Sequence, residues 1–545
     1  MSETMIPINI IPKVNRVESP GKGSYVLIPG SVLDIPKECP RAGRLLREIT
    51  GMKEWAGDLS TTPIRLEICP GMENDEGYVL RIDTDGIWIS AKSDRGMFYG
   101  VQSLRQLLPD SVETIGLTEP VALPHVVIED SPRFAYRGFM LDEARHFFGM
   151  KEVKRILDLL ALQKINKFHW HLTDHQGWRI EIKEHPKLTE IGSRRSKTQV
   201  TGLMALNATY DPEEVSGYYT QEQIREIVQY AAENFIDVIP EIDLPGHSTA
   251  ALAAYPELSC DGSPVEVGFD IGFRSFFTLP KLICAGKESS YIFLQTMLDE
   301  MAALFPSKMI HLGSDEAGKG AWRKCPHCQR RMKEQGLKGV KELQDYFINR
   351  LARYLFDKGF SATCWNDGLH NHSDERIIIQ HWVGAYKETE QKIKAGYKAI
   401  ISTMTPYYLN NPYALSNLKK SYAYDPLEGK ITDPEARNIL GIEAPFWTEF
   451  VKSAPRLEWG MFPRLLAVSE TAWTEQKNKE YEDFTNRLAV METRLDALGV
   501  NRTPREYYQK DNKFFNPLSI IKSMTGNPNR EYEEYLKKRA GITAK

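Results

Sequence analysis

The chain has 545 residues, 42% of them apolar, and a formal net charge of −4. That length exceeds one ordinary domain, and the apolar content is ample for a large core. The mild charge and scattered basic residues argue against a nucleic-acid or membrane-surface partner, no apolar run is long enough to span a bilayer, and seven cysteines at irregular spacing make no disulfide scaffold.

Met1 to Asn9 lacks the charged and apolar regions of a signal peptide. The expectation is an exported protein (periplasmic or cell-surface) in its mature form, with a cytoplasmic one as the alternative. Residues 1–130 read as a small α+β domain. Tyr78–Ile82 and Ile87–Ser90 alternate as strands around the Asp85-Gly86 hairpin signal, and Phe98, Val101, Leu104 and Leu108 recur at helical spacing. Glu129 to Arg133, with its Ser-Pro pair, punctuates a boundary.

From Tyr136 the pattern becomes strand, helix, strand, helix. Strands are predicted at Gly138–Leu141, Lys167–His171, Asp237–Ile242, Met309–Gly313, Ala362–Trp365, Arg376–Gln380, Ala399–Ser402 and Ile439–Glu443. Amphipathic helices are predicted at Lys151–Gln163, Gln221–Asn234, Tyr291–Leu304, Lys341–Lys358 and Thr389–Ala395. This alternation predicts an α/β fold with a (β/α)8 TIM barrel over residues 131–500. A doubly wound sheet is the other option, but no Gly-rich phosphate loop follows the first strand. Residues 501–545 are predicted to pack on the barrel. The long connections at 190–220 and 255–285 could build additional ligand subsites.

In such a barrel the carboxyl ends of the strands carry the chemistry. They deliver Asp142, His169, His171, Asp174, Glu241, Asp243, His247, His311, Asp315 and Glu316. They also deliver Trp365, Asn366, Asp367, Gln380, Trp382, Tyr408, Asn410, Glu443, Trp447 and Glu449. Any one of these could be a satisfied structural group, but polar residues from all eight strands on one face would be costly unless bonded or at work. Asp315 and Glu316 stand out, because Met309 to Leu312 is a buried-strand pattern that runs through Gly313 and Ser314 into the two carboxylates.

Two chemistries compete. His169-Trp170-His171 on a strand puts both imidazoles on one side, and His247 and Asp243 could complete a zinc site for a metal-dependent hydrolase. Alternatively the acids work beside aromatic platforms on a sugar, as in glycoside hydrolysis. Eight of the ten tryptophans follow residue 150, several of them beside polar residues at strand ends, and this balance favours the sugar. Cys325-Pro-His-Cys328 invites a zinc reading, but without a second CxxC or paired histidines it reads as a local disulfide or two free thiols.

The motifs agree with this choice. Tyr136 to Asp142 with Ala144-Arg145-His146-Phe147, Phe168 to Arg179, Pro240 to His247, and the His-x-Gly-x-Asp-Glu signature at His311 to Glu316 occur in order. Through them the chain resembles the β-N-acetylhexosaminidases of glycoside hydrolase family 20, over nearly its whole length. The resemblance implies substrate-assisted catalysis, in which the substrate's 2-acetamido oxygen attacks the anomeric carbon. Glu316 would be the general acid and base, with a raised pKa. Asp315 would stay ionised and orient the acetamido N–H, and Tyr408 would donate to the acetamido oxygen. It further implies that Trp365, Trp382 and Trp447 line the sugar pocket, that Arg137 and Glu449 hold the O3 and O4 hydroxyls, and that Asp174 and His247 tune Glu316. His169, His171 and His311 would then be support.

No cofactor and no metal are expected. The expected partner is an oligosaccharide or glycoconjugate ending in β-linked GlcNAc, or in GalNAc, acted on by a monomer or homodimer. Two departures from the family pattern stand out. Ser314 replaces a Gly or Ala, with little expected consequence. Asn410 replaces an Asp that reaches towards C6 of the sugar. Losing that charge would tolerate a 6-sulfate, though the amide is equally suited to a neutral O6.

Overall fold

Short apolar strands alternate with one-sided helices after residue 136, and this alternation closes on itself. In the computed structural model, which describes residues 7–18, 23–54, 64–202, 205, 207–268, 281–427, 431, 434–509, 521 and 525–541, eight strands form a closed barrel. They are β1 (Tyr136–Asp142), β2 (Lys167–His171), β3 (Asp237–Glu241), β4 (Met309–His311), β5 (Ser361–Trp365), β6 (Ile378–His381), β7 (Ala399–Ile401) and β8 (Ile439–Phe446). Neighbours pair in parallel in sequence order, and β8 returns to β1.

The predicted helices form as α1 (Met150–Leu162), α2 (Gln221–Glu233), α3 (Glu288–Leu304), α4 (Val340–Asp357) and α5 (Tyr386–Lys394). Thr220 and Gln223 make a capping box at the start of α2, satisfying two of its orphan N–H groups. Ile224, Ile227, Val228 and Ala231 then form its buried stripe. β4 ends two residues earlier than its apolar pattern suggests. Gly313 and Ser314 take φ of +64° and +86°, which no strand accommodates.

Outward-facing Phe139, Leu141, Phe168 and Trp170 join the helices in the main core. Inside the barrel lies an unusual filling. His169, His171, Glu241, His311, Gln380 and Glu443 are all buried there, where bulky aliphatic layers are the rule. Mutual pairing offsets much of the cost, though His311 Nε2 and Gln380 Oε1 find no partner among the described residues. His169 Nδ1 is 2.9 Å from Glu443 and its Nε2 3.1 Å from Glu241. His311 Nδ1 lies 2.9 Å from Glu241, and Gln380 donates to Glu443. The two carboxylates, against the pull of burial, hold His169 up to about 9. Each of these histidines is thus tied to a buried carboxylate inside the barrel.

The amino-terminal unit is a seven-stranded mixed sheet with helices Pro40–Thr50 and Asp94–Leu107. Tyr78–Asp83 and Gly86–Ala91 form the predicted hairpin. The remaining strands are short, and their partners lie far off in sequence, so local pattern could not find them. This unit is joined to the barrel by buried ion pairs, Arg137 with Glu76 at 2.9 Å and Lys164 with Asp130 at 3.2 Å.

Towards the carboxyl end, helix Arg530–Arg539 sets Tyr532 against Trp459, ring centroids 5.7 Å apart, and Asn529 donates to the Phe450 carbonyl. In the connections at 190–220 and 255–285, residues 203, 204, 206 and 269–280 lie outside the described residues. Among the described residues no helix is long and apolar enough to cross a membrane.

Candidate active site

Residues at the carboxyl ends of all eight strands, Trp382 after β6 among them, gather on one face of the barrel around a polar cleft. Its centre is the turn after β4. Gly313 allows that turn, since a Cβ there would meet Asp243 Oδ1 at 1.9 Å. Ser314 and Glu316 sit at φ of +86° and +46°, and His247 on the facing loop at +46°. Three non-glycine residues in the left-handed region within one cleft store strain that the surroundings must hold. Part of the hold is the Ser314 hydroxyl, which accepts from Gln344 Nε2 at 3.2 Å, while Asp243 Oδ1 accepts from the Ser314 N–H at the same distance.

Asp315 and Glu316 both face His247, whose Nε2 lies 3.7 Å from Asp315 Oδ2 and 3.6 Å from Glu316 Oε2. The other ring nitrogen, Nδ1, is 3.0 Å from Asp174 Oδ2. Burial works against a charge on His247, but Asp174, Asp243 and Asp315 hold its pKa well above the usual imidazole range. The imidazolium in turn holds Glu316 below its ordinary range. This corrects the expected upward shift. Glu316 keeps 60% of its side chain exposed, and the cation beside it outweighs burial.

Asp315 also departs from expectation. Burial, reinforced by the facing Asp243 carboxyl, pushes it well above the carboxylate range, and burial does the same to Asp243. Two buried carboxyls facing each other cannot both ionise cheaply. Asp315 Oδ1 and Asp243 Oδ2 are buried and find no hydrogen-bond partner among the described residues.

Aromatic rings close the cleft. Trp365 and Trp447 lie with centroids 5.9 Å apart, Tyr408 is 6.1 Å from Trp447, and Trp382 lies nearly parallel to Tyr408 at 6.2 Å and 13°. Each indole is anchored or braced. Trp365 Nε1 donates to Glu241 at 2.8 Å and Trp382 Nε1 to Asp367 at 2.8 Å, while Trp447 packs edge-on to His171. The second oxygen of Asp367 accepts the Glu316 N–H at 3.0 Å, which couples the indole to the turn. Asn410 lies two residues past Tyr408, its Oδ1 buried and without a partner among the described residues.

One predicted residue is misplaced. Arg137 is the second residue of β1, at the amino-terminal end, fully buried between Tyr99 and Trp473 and paired with Glu76. At about 3.3 Å per strand residue it starts some 16 Å below Asp142 and cannot reach a ligand in the cleft. The arginine beside Glu449 is Arg145. Its guanidinium lies 3.7 Å from Glu449, 3.1 Å from Asp142 and 2.7 Å from Asp174, over the face of Trp447. Its place in the Ala144 to Phe147 motif, just past the strand's carboxyl end, was the available signal.

The alternative metal centre does not assemble. His169 turns to Glu241 and Glu443, His171 to Glu241 and Asp174, and His247 to Asp174 and the cleft carboxylates. Among the described residues, no set of converging ligand atoms contains two of these three histidines.

Residues 134–476 match the signature of "Glycosyl hydrolase family 20, catalytic domain", and residues 7–131 match "Glycosyl hydrolase family 20, domain 2". The chain belongs to glycosyl hydrolase family 20. It is 40% identical over 443 residues to a beta-hexosaminidase of Porphyromonas gingivalis, covering 78% of this chain and 54% of that one. The chain thus spans about half the length of that relative. It is 35% identical over 483 residues to a beta-hexosaminidase of Vibrio furnissii, covering 85% and 76%. The crystal structure of a family 20 exo beta-N-acetylglucosaminidase from Vibrio harveyi, in complex with N-acetylglucosamine, superposes with a TM-score of 0.79. It is 29% identical and covers 92% of this chain and 80% of that one.

Proposed function

We propose that this family 20 protein is a retaining exo-β-N-acetylhexosaminidase that removes terminal β-linked GlcNAc, or GalNAc, by substrate-assisted catalysis. The observation that carries the reading is the placement of Asp315 and Glu316 against the same nitrogen of His247, 3.7 and 3.6 Å away. Two-carboxylate glycosidases need their acids on opposite sides of the sugar, about 5–5.5 Å apart when retaining and farther when inverting. Asp315 and Glu316 leave one turn as chain neighbours and converge on one imidazole, an arrangement that favours one proton donor with a charged helper over two acids on opposite faces of the ring. The nucleophile is therefore assigned to the substrate, whose acetamido group on C2 can reach the anomeric carbon.

The acetamido oxygen attacks C1 as Glu316 gives its proton to the departing oxygen, and the bond to the leaving group breaks. The resulting oxazolinium-like ion carries positive charge beside Asp315, whose unpaired Oδ1 takes the N–H. Tyr408 points the acetamido oxygen at C1 within the indole box. Water then opens the ring at C1, passing its proton to Glu316, with net retention. Arg145 and Glu449 hold the hydroxyls farthest from the leaving group. On an aryl N-acetylglucosaminide, Glu316→Gln is expected to lower kcat by roughly 10²- to 10⁴-fold, with the β-anomer of the free sugar appearing first by proton NMR in the unmodified protein. An α-anomer as first product sinks the mechanism.

The same pocket supports acceptance of GlcNAc sulfated at O6. Asn410 offers an amide where the family pattern has a carboxylate, so a sulfate would meet no negative charge there, although its buried Oδ1, an acceptor, suits the O–H of a neutral O6 instead. Comparable kcat/KM on 6-sulfated and plain aryl substrates is expected, with Asn410→Asp depressing the sulfated reaction selectively. A loss of several orders of magnitude on sulfation in the unmodified protein removes this reading.

A further inference from the structure

Beside the cleft, four cysteines that the proposed hydrolysis does not use come together. Cys260, Cys284, Cys325 and Cys328 place their sulfurs within 4.8 Å of one another. Cys284 Sγ is 3.6 Å from Cys328 and 3.7 Å from Cys325, and Cys260 lies 4.0 Å from Cys328. We propose that these four thiolates bind a structural zinc ion that ties the loop after β3 to the loop after β4.

The distances fit a tetrahedron. With Zn–S bonds of about 2.3 Å, the edge between two sulfurs is about 3.8 Å, and the three quoted separations bracket it. No sulfur is singled out as the partner of another, as a disulfide would require, and no pair is at bonding distance. Cys284, Cys325 and Cys328 are buried. Four thiolates around one dication is the donor set of a closed structural site, with iron as the competitor for the same geometry.

The surrounding chain is shaped to this cluster. Ser259 and Ile283 form a β-bridge that brings Cys260 and Cys284 side by side. The N–H groups of Gly286 and Lys287 donate to the Cys284 sulfur, the kind of bond that orients a thiolate ligand. Gly286 lies so close to the Cys325–Cys328 segment that a Cβ would meet the His327 carbonyl carbon at 2.2 Å and the Cys328 nitrogen at 2.3 Å. Cys325 precedes the helix Pro326–Glu334, with Pro326 in its first turn, and so fixes the second half of the cluster. Buried Trp322 closes the side, donating to the Ile283 carbonyl at 3.1 Å. The sequence showed one CxxC and two lone cysteines, and only the fold brings the three segments together.

The site bears on the cleft through position. The loop after β4 begins with Asp315 and Glu316 and reaches Cys325, and the loop after β3 carries His247 and reaches Cys260 and Cys284. The Ile283 N–H bonds to the Pro245 carbonyl at 3.1 Å, two residues before His247. Zinc would brace both sides of the strained turn without touching substrate.

The test is elemental analysis of the full chain, purified under reducing conditions without chelator. About one zinc per chain is expected, with sulfur neighbours at about 2.3 Å in X-ray absorption. Cys284→Ser is expected to lose the zinc and melt at lower temperature, while Cys39→Ser, outside the cluster, keeps it. Should Cys284→Ser fail to fold, titration of the unmodified protein with a mercurial decides the matter: zinc release in step with the modification of four thiols supports the site. Absence of zinc after zinc-supplemented expression overturns it, as do iron in stoichiometric amount or disulfides among these cysteines in a non-reduced digest.

Discussion

β1 has an arginine near each end, and the two show how one barrel keeps structure and chemistry apart. Arg137, near the amino-terminal end, gives its guanidinium to both oxygens of Glu76, to the Phe134 and Lys164 carbonyls and to Tyr99. Asn166, Lys164, Asp130 and Tyr78 extend that network, and none of their side-chain polar atoms lacks a partner. Arg145, beyond the carboxyl end, is just as firmly held by Asp142, Asp174 and Gln176. Around it, however, Asp315 Oδ1, Asp243 Oδ2 and Asn410 Oδ1 are buried without partners, and three residues carry left-handed strain. A closed network with every group satisfied is a joint. An equally buried one with open acceptors is a place for a ligand, since buried polar atoms left unpaired cost about 1–3 kcal/mol each until something fills them.

Substituting the two arginines separates the roles. Removing one member of a buried ion pair leaves an uncompensated charge, so Arg137→Met is expected to cost about 3–5 kcal/mol of stability by denaturant unfolding, with kcat/KM of the folded protein unchanged. Its partner gives this a pH dependence. Arg137 holds the Glu76 carboxyl below its ordinary range although burial pulls the other way. A depressed carboxyl contributes stability above the unfolded carboxylate pKa and loses it as pH falls through the folded one, so the unmodified protein should weaken on acidification more than Arg137→Met does. Arg145→Met leaves Asp142 and Asp174 just as uncompensated and should cost stability too, but unlike Arg137→Met it should also lower kcat/KM of the folded protein by roughly 10- to 100-fold, the worth of a charged hydrogen bond to substrate. If Arg137→Met proves the more damaging to kcat/KM of folded protein, the assignment of the two ends is reversed.

The smallest expected effect is a shift in a pH profile. Glu316 must be protonated to act, and the His247 imidazolium lowers its pKa. Removing that charge with His247→Gln should therefore move the basic limb of kcat/KM to higher pH, at reduced rate. In the unmodified protein the basic limb of kcat should lie above that of kcat/KM, because a bound sugar shields the exposed Glu316 from water. A basic limb that stays in place in His247→Gln would mean that another group sets it.

Much of this was legible in the residues. Strands such as Lys167–His171 and helices such as α4 follow from periodicity, the carboxylate pair and the indoles announce themselves by type and place, and the role of Tyr408 came through the resemblance. The small domain's sheet was not legible, because its pairings are long-range. Nor was the ionisation of Asp315 and Glu316, which depends on Asp243 and His247 arriving from another loop. Arg137 shows the limit of carrying a role over from a resemblance: a strand has two ends, and Arg137 sits at the one away from the cleft. Cys260 and Cys284 carried no local signal at all.

The central claim is that the sugar's acetamido group is the nucleophile, and a series of aryl glycosides with successively fluorinated N-acetyl groups tests it most directly. The account predicts that kcat/KM falls steeply with each fluorine as the carbonyl oxygen loses basicity, and that the matching aryl glucoside, with a 2-hydroxyl, is turned over negligibly. A flat series, or a glucoside cleaved as fast as the N-acetyl compound, would contradict it.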